Sequence, residues 1–386
     1  MHFKHLVVIV ALSTVAYGQA VLRAEQYTGA DAGEKIKKCI EALPATGGVC
    51  DARNLSGQQS SGAGFAVGAA GKPVELMLGP VTLLTKGTIH VAAKSSIMGM
   101  PAAAGTGSDQ SATVIKAADH SHLSVVVQLE GYFAVLQDVT VDGNKSGAPQ
   151  GNVAILVLNA NRVEMFRVTA QNAPKYGIQI YSDNNESCCA KLSKIMSVAN
   201  GDSGLHVANT ADVFVSVSEL ENNGKHGIEL NNSPTMRLEH SDIGGNLGDG
   251  VRIYGSASSP LQSNKQIIVG NQFGNNAQHD IHILGLDSSA KKHVSTGNLI
   301  SSNEFIGSDK RPSGFDAIHI TDSGENNIVG NNFSADSAHP YRYCVFIEGS
   351  TELPDQVNGN LCTAAKAGGK GDYKGVSNTV FGTNSK

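Results

Sequence analysis

The chain has little of several features that would indicate a function directly. It contains no tryptophan, and only 16% of its 386 residues are charged. The missing tryptophan argues against a module dedicated to neutral sugars, which would present broad aromatic platforms. A formal net charge of −5 gives no basic patch, so nucleic acid is not an expected partner. After the first 20 residues no apolar run reaches the roughly 20 residues that a membrane-spanning helix needs, so no membrane span is expected.

The N-terminus has the layout of a cleaved export signal. Lys4 stands in a short polar start, an apolar run follows from Leu6 to Leu12, and small residues stand at Gly18 and Ala20. These features are typical of a secretory signal peptide. We therefore predict a signal peptide over residues 1–20 and a secreted or periplasmic mature chain.

The six cysteines are an even number, which favours disulfides in a chain expected to be exported. No CxxC spacing supports a metal site instead. Cys188 and Cys189 are adjacent and could either form a vicinal bridge or stay as thiols. The predicted pairs, which are close in sequence and could staple the two ends of the fold, are Cys39 with Cys50 and Cys344 with Cys362.

One short phrase recurs along the chain. It reads GDSGLHVANT, then KHGIELNNSP, then GDGVRIYGSA, so that Gly204, Gly227 and Gly250 lie 23 residues apart. Related phrases upstream and downstream place the first apolar residue at Ile178, Leu205, Ile228, Val251, Ile281 and Ile318. A second motif trails several of them, as in IIVGNQFGNN and NIVGNNFSAD, where Asn and Gly are typical of turns. The pattern predicts short strands joined by tight corners.

A strand pattern that repeats at about 23 residues predicts a coil with three strands in each turn. No helical period appears between residues 120 and 340, which excludes helical solenoids, and the LxxLxLxxN pattern of leucine-rich repeats is missing. A β-sandwich would not explain why the equivalent residues of all the repeated strands fall in one aligned column. The sequence therefore predicts an all-β parallel β-helix whose equivalent strands stack about 4.8 Å apart.

The repeats from about Val74 to Phe346 resemble the right-handed parallel β-helix superfamily of pectate lyases, polygalacturonases and phage tailspikes. The segment DAGEKIKKCIEALP is amphipathic and resembles the short helix that caps the first coil of these proteins. The resemblance implies a right-handed coil with an N-terminal capping helix. The segments that we expect are a capping helix and the strand that follows it in 21–60, the β-helix in 61–362 and an irregular tail in 363–386.

A strip of polar side chains is predicted on one outer face. In each repeated strand the two apolar residues face inward, so the residue between them faces outward. Three of the chain's 13 histidines stand in this six-residue column, which favours a functional strip over a solvated face. The column consists of Gln179, His206, Glu229, Arg252, His282 and His319.

In the resembling enzymes a saccharide chain lies along an outer parallel sheet, which implies a polysaccharide substrate here. A lyase acting on uronates must neutralise the carboxylate, remove the C5 proton and expel the C4 oxygen. Arg252 could pair with the carboxylate, His206 or His282 could be the base, and Tyr254 could be the acid. The residues expected to contact the polysaccharide are Gln179, Tyr181, His226, Asp249, Tyr254, Asp280 and His319.

Two other functions remain open. A glycoside hydrolase needs two carboxyls, which Glu229 and Asp249 could supply; Glu229 is therefore also a candidate catalytic residue. A non-catalytic polysaccharide-binding or surface β-helix protein is the second alternative. The polygalacturonase signatures NTD, GHG and RIK do not occur in order, and the DPHE motif of alginate epimerases is absent.

No cofactor is predicted. A divalent cation such as calcium is conceivable, but no cluster of paired aspartates supports it. His206, Glu229 and His282 could hold a transition metal, yet they lack the fixed spacing of a metal motif. The sequence does not indicate an oligomeric state.

Overall fold

The computed structural model describes residues 19–101, 111–287, 292–307, 314–334, 340–349, 353–363, 373–375 and 379–384. The predicted signal peptide lies outside the described residues except for its last two positions. Within the described ranges, no helix is long and apolar enough to cross a membrane.

Three parallel sheets are built by successive coils, and each full coil adds one strand to each sheet in turn. We number the sheets in the order in which the chain meets them after the N-terminal helix. The strands of sheet 1 are Val21–Arg23, Gly48–Ala52, Val74–Leu78, Ser96–Met98, Val135–Gln137, Glu164–Phe166, Lys191–Ser193, Phe214–Ser216, Arg237–Glu239, Ile267–Val269, Leu299–Ser301, Asn327–Val329, Gln356–Asn358 and Val380–Phe381. This architecture confirms the predicted parallel β-helix.

The other two sheets follow the same rule. The strands of sheet 2 are Gly57–Ser61, Val81–Thr85, Val114–Ala117, Thr140–Asp142, Thr169–Gln171, Met196–Val198, Glu219–Glu221, Asp242–Gly244, Gln272–Gly274, Glu304–Phe305, Asn332–Phe333 and Leu361–Cys362. The strands of sheet 3 are Ala66–Val67, Ile89–Val91, Val125–Tyr132, Val153–Asn161, Tyr176–Tyr181, Leu205–Ala208, Ile228–Asn231, Val251–Tyr254, Ile281–Leu284, Ile318–Thr321, Val345–Glu348 and Tyr373–Lys374. A small hairpin pairs Leu286–Asp287 with Lys292–His293.

The core is a column of aliphatic and aromatic side chains inside the coil. The repeated apolar residue of sheet 3 is completely buried at every coil from Ile178 to Ile318. Phe273, Phe305 and Phe333 stack on one another from coil to coil, with ring centroids 5.0 and 4.7 Å apart. Since burial of such a side chain is worth about 1.5–3 kcal/mol, the repeated inward positions supply much of the stability.

Buried asparagines connect the coils at the corners. At the corner between sheets 1 and 2, Asn303 Nδ2 donates to Ile268 O at 2.9 Å and to Asn331 Oδ1 at 3.0 Å. Its own Oδ1 accepts from the backbone and side-chain nitrogens of Asn271 at 2.9 and 3.0 Å. The members of this asparagine ladder are Asn271, Asn303, Asn331, Asn360 and Asn384. The ladder satisfies backbone groups that the turning chain would otherwise leave buried without partners.

A left-handed backbone turns the chain at the residue before Asn271, Asn303, Asn331 and Asn360, and also at the residue before Ser218 and Ser241 at this corner of earlier coils. His240 has φ of 50° and Val217 has φ of 51° at this corner, and Gly270 has φ of 69° at the equivalent place. A β-branched residue is rarely found there, because its side chain crowds the backbone. A hydrogen bond from Val217 N to Glu239 O of the next coil, at 3.1 Å, supports Val217 in this conformation.

The N-terminal helix spans Ala32–Ala42. Asp31 caps it by accepting a hydrogen bond from Glu34 N at 2.8 Å, and Ile36 and Ile40 are buried against the first coil. The helix thus closes the open end of the core, as predicted. The disulfides join Cys39 to Cys50 and Cys344 to Cys362, as predicted, and the adjacent pair that the sequence left open, Cys188 and Cys189, is bridged as well.

The ends of the coil extend further than the predicted segments. Val21–Arg23 already belongs to sheet 1, ahead of the capping helix. In 363–386, which we expected to be irregular, Tyr373–Lys374 pairs with Val345–Glu348 and Val380–Phe381 pairs with Gln356–Asn358. The described part of the tail therefore continues sheets 3 and 1.

A second ladder, at the corner between sheets 3 and 1, includes Asn298 and Asn326, and Asp355 takes the place of the next asparagine. Its Oδ1 accepts from the backbone and side-chain nitrogens of Asn326 at 2.9 and 2.8 Å, while its Oδ2 is buried without a hydrogen bond. Burial raises the pKa of Asp355 from 3.8 to about 6, against the two bonds from Asn326. The ionised carboxylate therefore destabilises the fold at neutral pH.

Replacing Asp355 by asparagine should stabilise the protein by about 3 kcal/mol at pH 7, because one pKa unit corresponds to about 1.4 kcal/mol. The folded pKa lies above the unfolded one, so the penalty is absent below pH 4 and complete above pH 6. Urea unfolding at both pH values should show a large gain at pH 7 and little at pH 4. The exposed Glu304→Gln should change neither, and an equal gain at both pH values would contradict this explanation.

Candidate functional site

The predicted polar column lies in register along sheet 3. Consecutive partners across the strands are Gln179, His206, Glu229, Arg252, His282 and His319. Leu156 continues the column at one end and Phe346 at the other. A second outward row stands two positions before the repeated apolar residue of each strand, and its members are Tyr176, Ser203, His226, Asp249, His279 and Asp316.

Most of this strip is buried rather than solvated. His206 is 8% exposed and Glu229 only 5%, although both face away from the hydrophobic core. The side chains of Arg252 and His282 are more open, at 32% and 16%. The strip therefore differs from the solvated polar face that the sequence left as an alternative. Its charged side chains contact one another.

Glu229 is the centre of the first half of the strip. Its Oε1 accepts a hydrogen bond from Tyr254 Oη at 2.8 Å, and its Oε2 accepts from Ser203 Oγ at 3.0 Å. Lys225 Nζ lies 3.9 Å from Oε1. Burial opposes the charge of this carboxyl, but the Tyr254 hydrogen bond, with His206 and Lys225, outweighs it and lowers the pKa of Glu229. Glu229 is therefore ionised, and burial next to it raises the pKa of Tyr254, which keeps its proton.

His206 is clamped on two sides. Its ring stacks on Tyr176 with centroids 4.4 Å apart, and its Nδ1 lies 3.3 Å from Gln179 Nε2. Burial lowers the pKa of His206, although Glu229 opposes the shift. The imidazole is therefore neutral at neutral pH, which is the form that can accept a proton.

Asp249 is the centre of the second half of the strip. It has no exposed surface, and its Oδ2 lies 3.4 Å from His282 Nδ1, 3.5 Å from His226 Nδ1 and 3.6 Å from Arg252 Nη1. Its Oδ1 accepts from His279 N at 3.1 Å. Burial opposes its charge, but its contact with His282 and the nearby imidazoles outweigh burial and lower the pKa of Asp249.

Three histidines pack together beyond Asp249. The ring centroid of His279 lies 4.8 Å from that of His282 and 4.5 Å from that of His319. Burial lowers the pKa of His279 to about 3, so this ring is neutral. Asp316 closes the cluster, and Arg342 holds both of its oxygens through Nε at 2.9 Å and Nη2 at 2.6 Å.

Some residues predicted to contact a polysaccharide lie too deep to do so. Asp280 is completely buried at a corner, where it accepts from Asn276 Nδ2 at 2.9 Å and Tyr341 Oη at 2.7 Å. Its side chain follows the inward alternation of the strand. Asp249 and His226 face the strip but are covered by their neighbours, so they can act only through other residues.

The sequence reasoning missed the margin of the strip. Lys175 and Lys225 stand three residues before the repeated apolar position of their coils, and both are exposed. Lys175 Nζ lies 4.5 Å from the ring centroid of Tyr176. A basic residue at this fixed offset in two coils was a readable signal. These lysines make the rim beside Glu229 positively charged.

Three groups of potential metal donors occur among the described residues, but the cysteines of one group are joined in a disulfide and have no thiolate to offer. The donor atoms lie within 4.8 Å of one another in each group. The groups are Cys188 with Cys189 and Asp212, Asp249 with His279 and His282, and His279 with Asp316 and His319. The set His206, Glu229 and His282, considered from the sequence, is not among them.

The three stacked parallel sheets, with a polar strip on one outer face, define a β-helix protein. The chain belongs to the family described as right handed beta helix region, whose pattern matches residues 153–334 and 203–384. Together these matches span 232 of the 386 residues, from 153 to 384. A comparison with curated proteins finds no match in sequence.

Solved structures of similar fold include proteins of several kinds. The Dettilon tailspike protein gp208 has a TM-score of 0.65 and 12% identity, over 93% of this chain and 70% of that one. The A-module of Azotobacter vinelandii mannuronan C-5 epimerase AlgE4 gives 0.56 and 14%, over 88% and 100%. DFA-IIIase of Arthrobacter chlorophenolicus A6, without its lid, gives 0.63 and 8%, over 95% and 99%. At these identities the similarity shows the fold alone, and it confirms the right-handed β-helix.

Proposed function

We propose that this protein is an exported lyase that cleaves a uronate-containing polysaccharide by β-elimination along the strip on sheet 3. The observation that carries the proposal is the position of Arg252, a partly exposed guanidinium on the same strip as the neutral imidazole of His206 and the two ionised carboxyls of Glu229 and Asp249. Such a site attracts a carboxylate and removes a proton, and it has no carboxylic acid to donate one.

Arg252 binds the uronate carboxylate in this scheme. Its nearest carboxylate oxygen, on Asp249, lies at 3.6 Å, so its donors remain available for a bidentate pair. Lys225 and Lys175 add positive charge at the margin, where neighbouring uronates of the same polymer would lie. Neutralising the carboxylate makes the C5 proton more acidic, because the negative charge that develops on removal is delocalised into it.

The elimination moves one proton in and one proton out. His206 takes the C5 proton, the electrons of the C5–H bond form the C4–C5 double bond, and the C4–O4 bond breaks. Tyr254 keeps its proton until that step because its pKa is raised, and its hydroxyl must turn from Glu229 Oε1 to O4 to give that proton to the leaving oxygen. Glu229 orients the Tyr254 phenol through their 2.8 Å hydrogen bond. His282, on the other side of Arg252, is the competing candidate for the base.

Gln179 and Tyr176 prepare His206 for its part. Stacking on Tyr176 fixes the plane of the ring, and the Gln179 amide fixes its rotation. As oriented, the Gln179 Nε2–H group donates to Nδ1, which puts the ring proton on Nε2. Turning the amide by 180° brings its oxygen to Nδ1–H and leaves the lone pair on Nε2 for the substrate. Tyr181 and His319 extend the surface on which the polymer would lie.

The ionisation of the two carboxyls argues against the hydrolase alternative. A glycoside hydrolase needs one carboxyl whose pKa is raised, so that it can protonate the leaving oxygen. Glu229 and Asp249 both have a lowered pKa, and Asp249 has no exposed surface. Among proteins of similar fold is the module of a mannuronan C-5 epimerase, so a β-helix can accommodate chemistry at C-5 of a uronate polymer.

The experiment is to incubate the mature protein with uronate-containing and neutral polysaccharides, and to follow reducing ends together with the ultraviolet absorbance of the unsaturated product. A lyase produces both signals, because elimination conjugates the new double bond with the carboxylate. Reducing ends without absorbance would identify a hydrolase. Neither signal, with one polymer retarding the protein in an affinity gel, would identify a binding protein and overturn the proposal.

A further inference from the structure

The histidine-rich half of the strip contains a cluster of possible metal ligands. Asp249, His279 and His282 come from two adjacent coils, and one donor atom of each lies within 4.8 Å of the others. We propose that these three residues bind one divalent first-row transition metal ion of the zinc class. The inference goes beyond the polysaccharide chemistry and does not depend on it.

The spacing around Asp249 Oδ2 is what points to an ion. This buried oxygen faces His282 Nδ1 at 3.4 Å and Arg252 Nη1 at 3.6 Å. His226 Nδ1, at 3.5 Å, is not a further candidate, because it already accepts from Asp249 N at 3.0 Å. A charge-assisted hydrogen bond would bring such groups to about 2.7–2.9 Å. Two ligands of a tetrahedral zinc ion, each bonded at about 2.1 Å, lie about 3.4 Å apart. The distance from Asp249 to His282 therefore suits two ligands of one metal better than a hydrogen bond.

The donor types select the class of ion. Two imidazoles and one carboxylate suit zinc, nickel, copper or iron, whereas calcium and magnesium prefer oxygen ligands throughout. Asp249 Oδ1 accepts from His279 N at 3.1 Å, so the carboxylate is oriented with Oδ2 toward the cluster. Such outer contacts, which aim a ligand, are characteristic of metal sites.

His279 can present a nitrogen lone pair to the ion. Its Nδ1 lies 3.3 Å from Asp316 O and 3.1 Å from Asp316 N. Donation from Nδ1–H to the carbonyl leaves Nε2 free, and a backbone carbonyl is a usual partner of a metal-binding histidine. Binding of the ion would select this tautomer over the one in which Nδ1 accepts from Asp316 N–H.

In the neighbouring triad of His279, Asp316 and His319, the carboxylate already has a cationic partner, although His319 Nδ1 is buried without a well-formed hydrogen bond. Arg342 donates to both oxygens of Asp316, at 2.9 and 2.6 Å. His319 has Asp316 Oδ2 3.0 Å from its Nδ1 and Glu348 Oε1 3.1 Å from its Nε2. We therefore infer one ion for each chain rather than two.

The ion would have one coordination position open toward the outer surface of sheet 3. Three protein ligands leave a tetrahedral ion with a fourth site for water or a substrate oxygen. The side chains of His282 and Arg252 are 16% and 32% exposed, so this position faces the same surface as the guanidinium. An imidazole that binds a metal cannot accept the C5 proton, so this inference leaves His206 as the base.

The test is metal binding without any substrate. Full-length mature protein is stripped with a chelator and titrated with Zn²⁺ by calorimetry, and the bound metal is counted by elemental mass spectrometry. We expect one Zn²⁺ per chain and at least a tenfold loss of affinity in His279→Gln and in His282→Gln. Zn²⁺ should also raise the melting temperature of the parent but not of His282→Gln.

Two matched variants complete the design. His90→Gln removes a histidine that pairs with Glu130 in the same outward column, several coils away, and should bind as the parent does. His319→Gln should keep one ion. Absence of stoichiometric Zn²⁺ in the parent, or equal binding by His282→Gln and the parent, would overturn the inference. Loss of the ion from His319→Gln but not from His282→Gln would equally overturn this ligand set. Far-ultraviolet circular dichroism confirms that each variant is folded.

Discussion

Replacing His206 by alanine should slow polysaccharide cleavage by about 10²–10⁴-fold, the usual contribution of a general base. The ring of His206 is neutral and fixed between Tyr176 and Gln179, so its loss removes the proton acceptor without removing Arg252. The effect should therefore fall on kcat, while KM changes little. The measurement is a steady-state rate series on the substrate identified by the polysaccharide panel.

Comparison with two other histidines makes this prediction specific. His90→Ala alters the same outward column but lies outside the strip, so it should keep the parent rate. His282→Ala should slow the reaction less than His206→Ala, and only His282→Ala should also lose metal. A parent-like rate in His206→Ala, with a collapse in His282→Ala, would assign the base to His282.

Replacing Asn303 by alanine should destabilise the protein by about 4 kcal/mol or more. The side chain of Asn303 takes part in four buried hydrogen bonds, two as donor and two as acceptor, at 2.9–3.0 Å. Alanine would leave Ile268 O and the amide groups of Asn271 and Asn331 buried without these partners. A buried polar group that loses its partner costs about 1–3 kcal/mol, so several such losses add to a large effect.

The matched control is Asn327→Ala. Asn327 is an exposed asparagine in the next coil, and changes at such surface positions usually stay within about 0.5 kcal/mol. Urea unfolding of both variants, followed by circular dichroism, should separate them clearly. Similar unfolding midpoints for Asn303→Ala and the parent would mean that the asparagine ladder contributes little to stability.

The β-helix could be predicted from the sequence because the repeated apolar residues are the residues that form the core. Each coil needs an inward apolar pair at one place in sheet 3, so Leu205, Ile228 and Val251 recur at one spacing. The outward column follows from the alternation of a strand, and the pairing confirms its register. The alignment of the strip was therefore predictable, whereas the catalytic roles stay proposals.

The sequence did not reveal how deeply the strip is buried. A column of polar residues at outward positions looks the same whether its side chains face water or one another. Asp249 is covered by side chains from neighbouring coils. The spacing of the repeats predicts which residues are neighbours but not the side-chain conformations that cover Asp249. The inward position of Asp280 was missed for a simpler reason, since it stands one residue, not two, before Ile281.

The asparagines were interpreted only partly. The motifs GNQF and GNNF predicted turns, on the grounds that Asn tolerates left-handed backbone. In the structure the preceding glycines, Gly270 and Gly330, take that conformation, with φ of 69° and 66°. The asparagines themselves, Asn271 and Asn331, are buried and bonded to the next coil. Their role depends on a neighbour about 30 residues away, which local turn rules do not consider.

Because the coils are stacked in one row, local unfolding of this protein is easiest at its two ends. Each coil contacts chiefly the coil before and the coil after it, so opening costs least at the two ends, where a coil has only one neighbour. The bridges Cys39–Cys50 and Cys344–Cys362 lie at those two ends. They restrain the terminal coils. Reduction of these bridges should therefore let unfolding begin at either end and spread inward, so that the polar strip in the middle unfolds last.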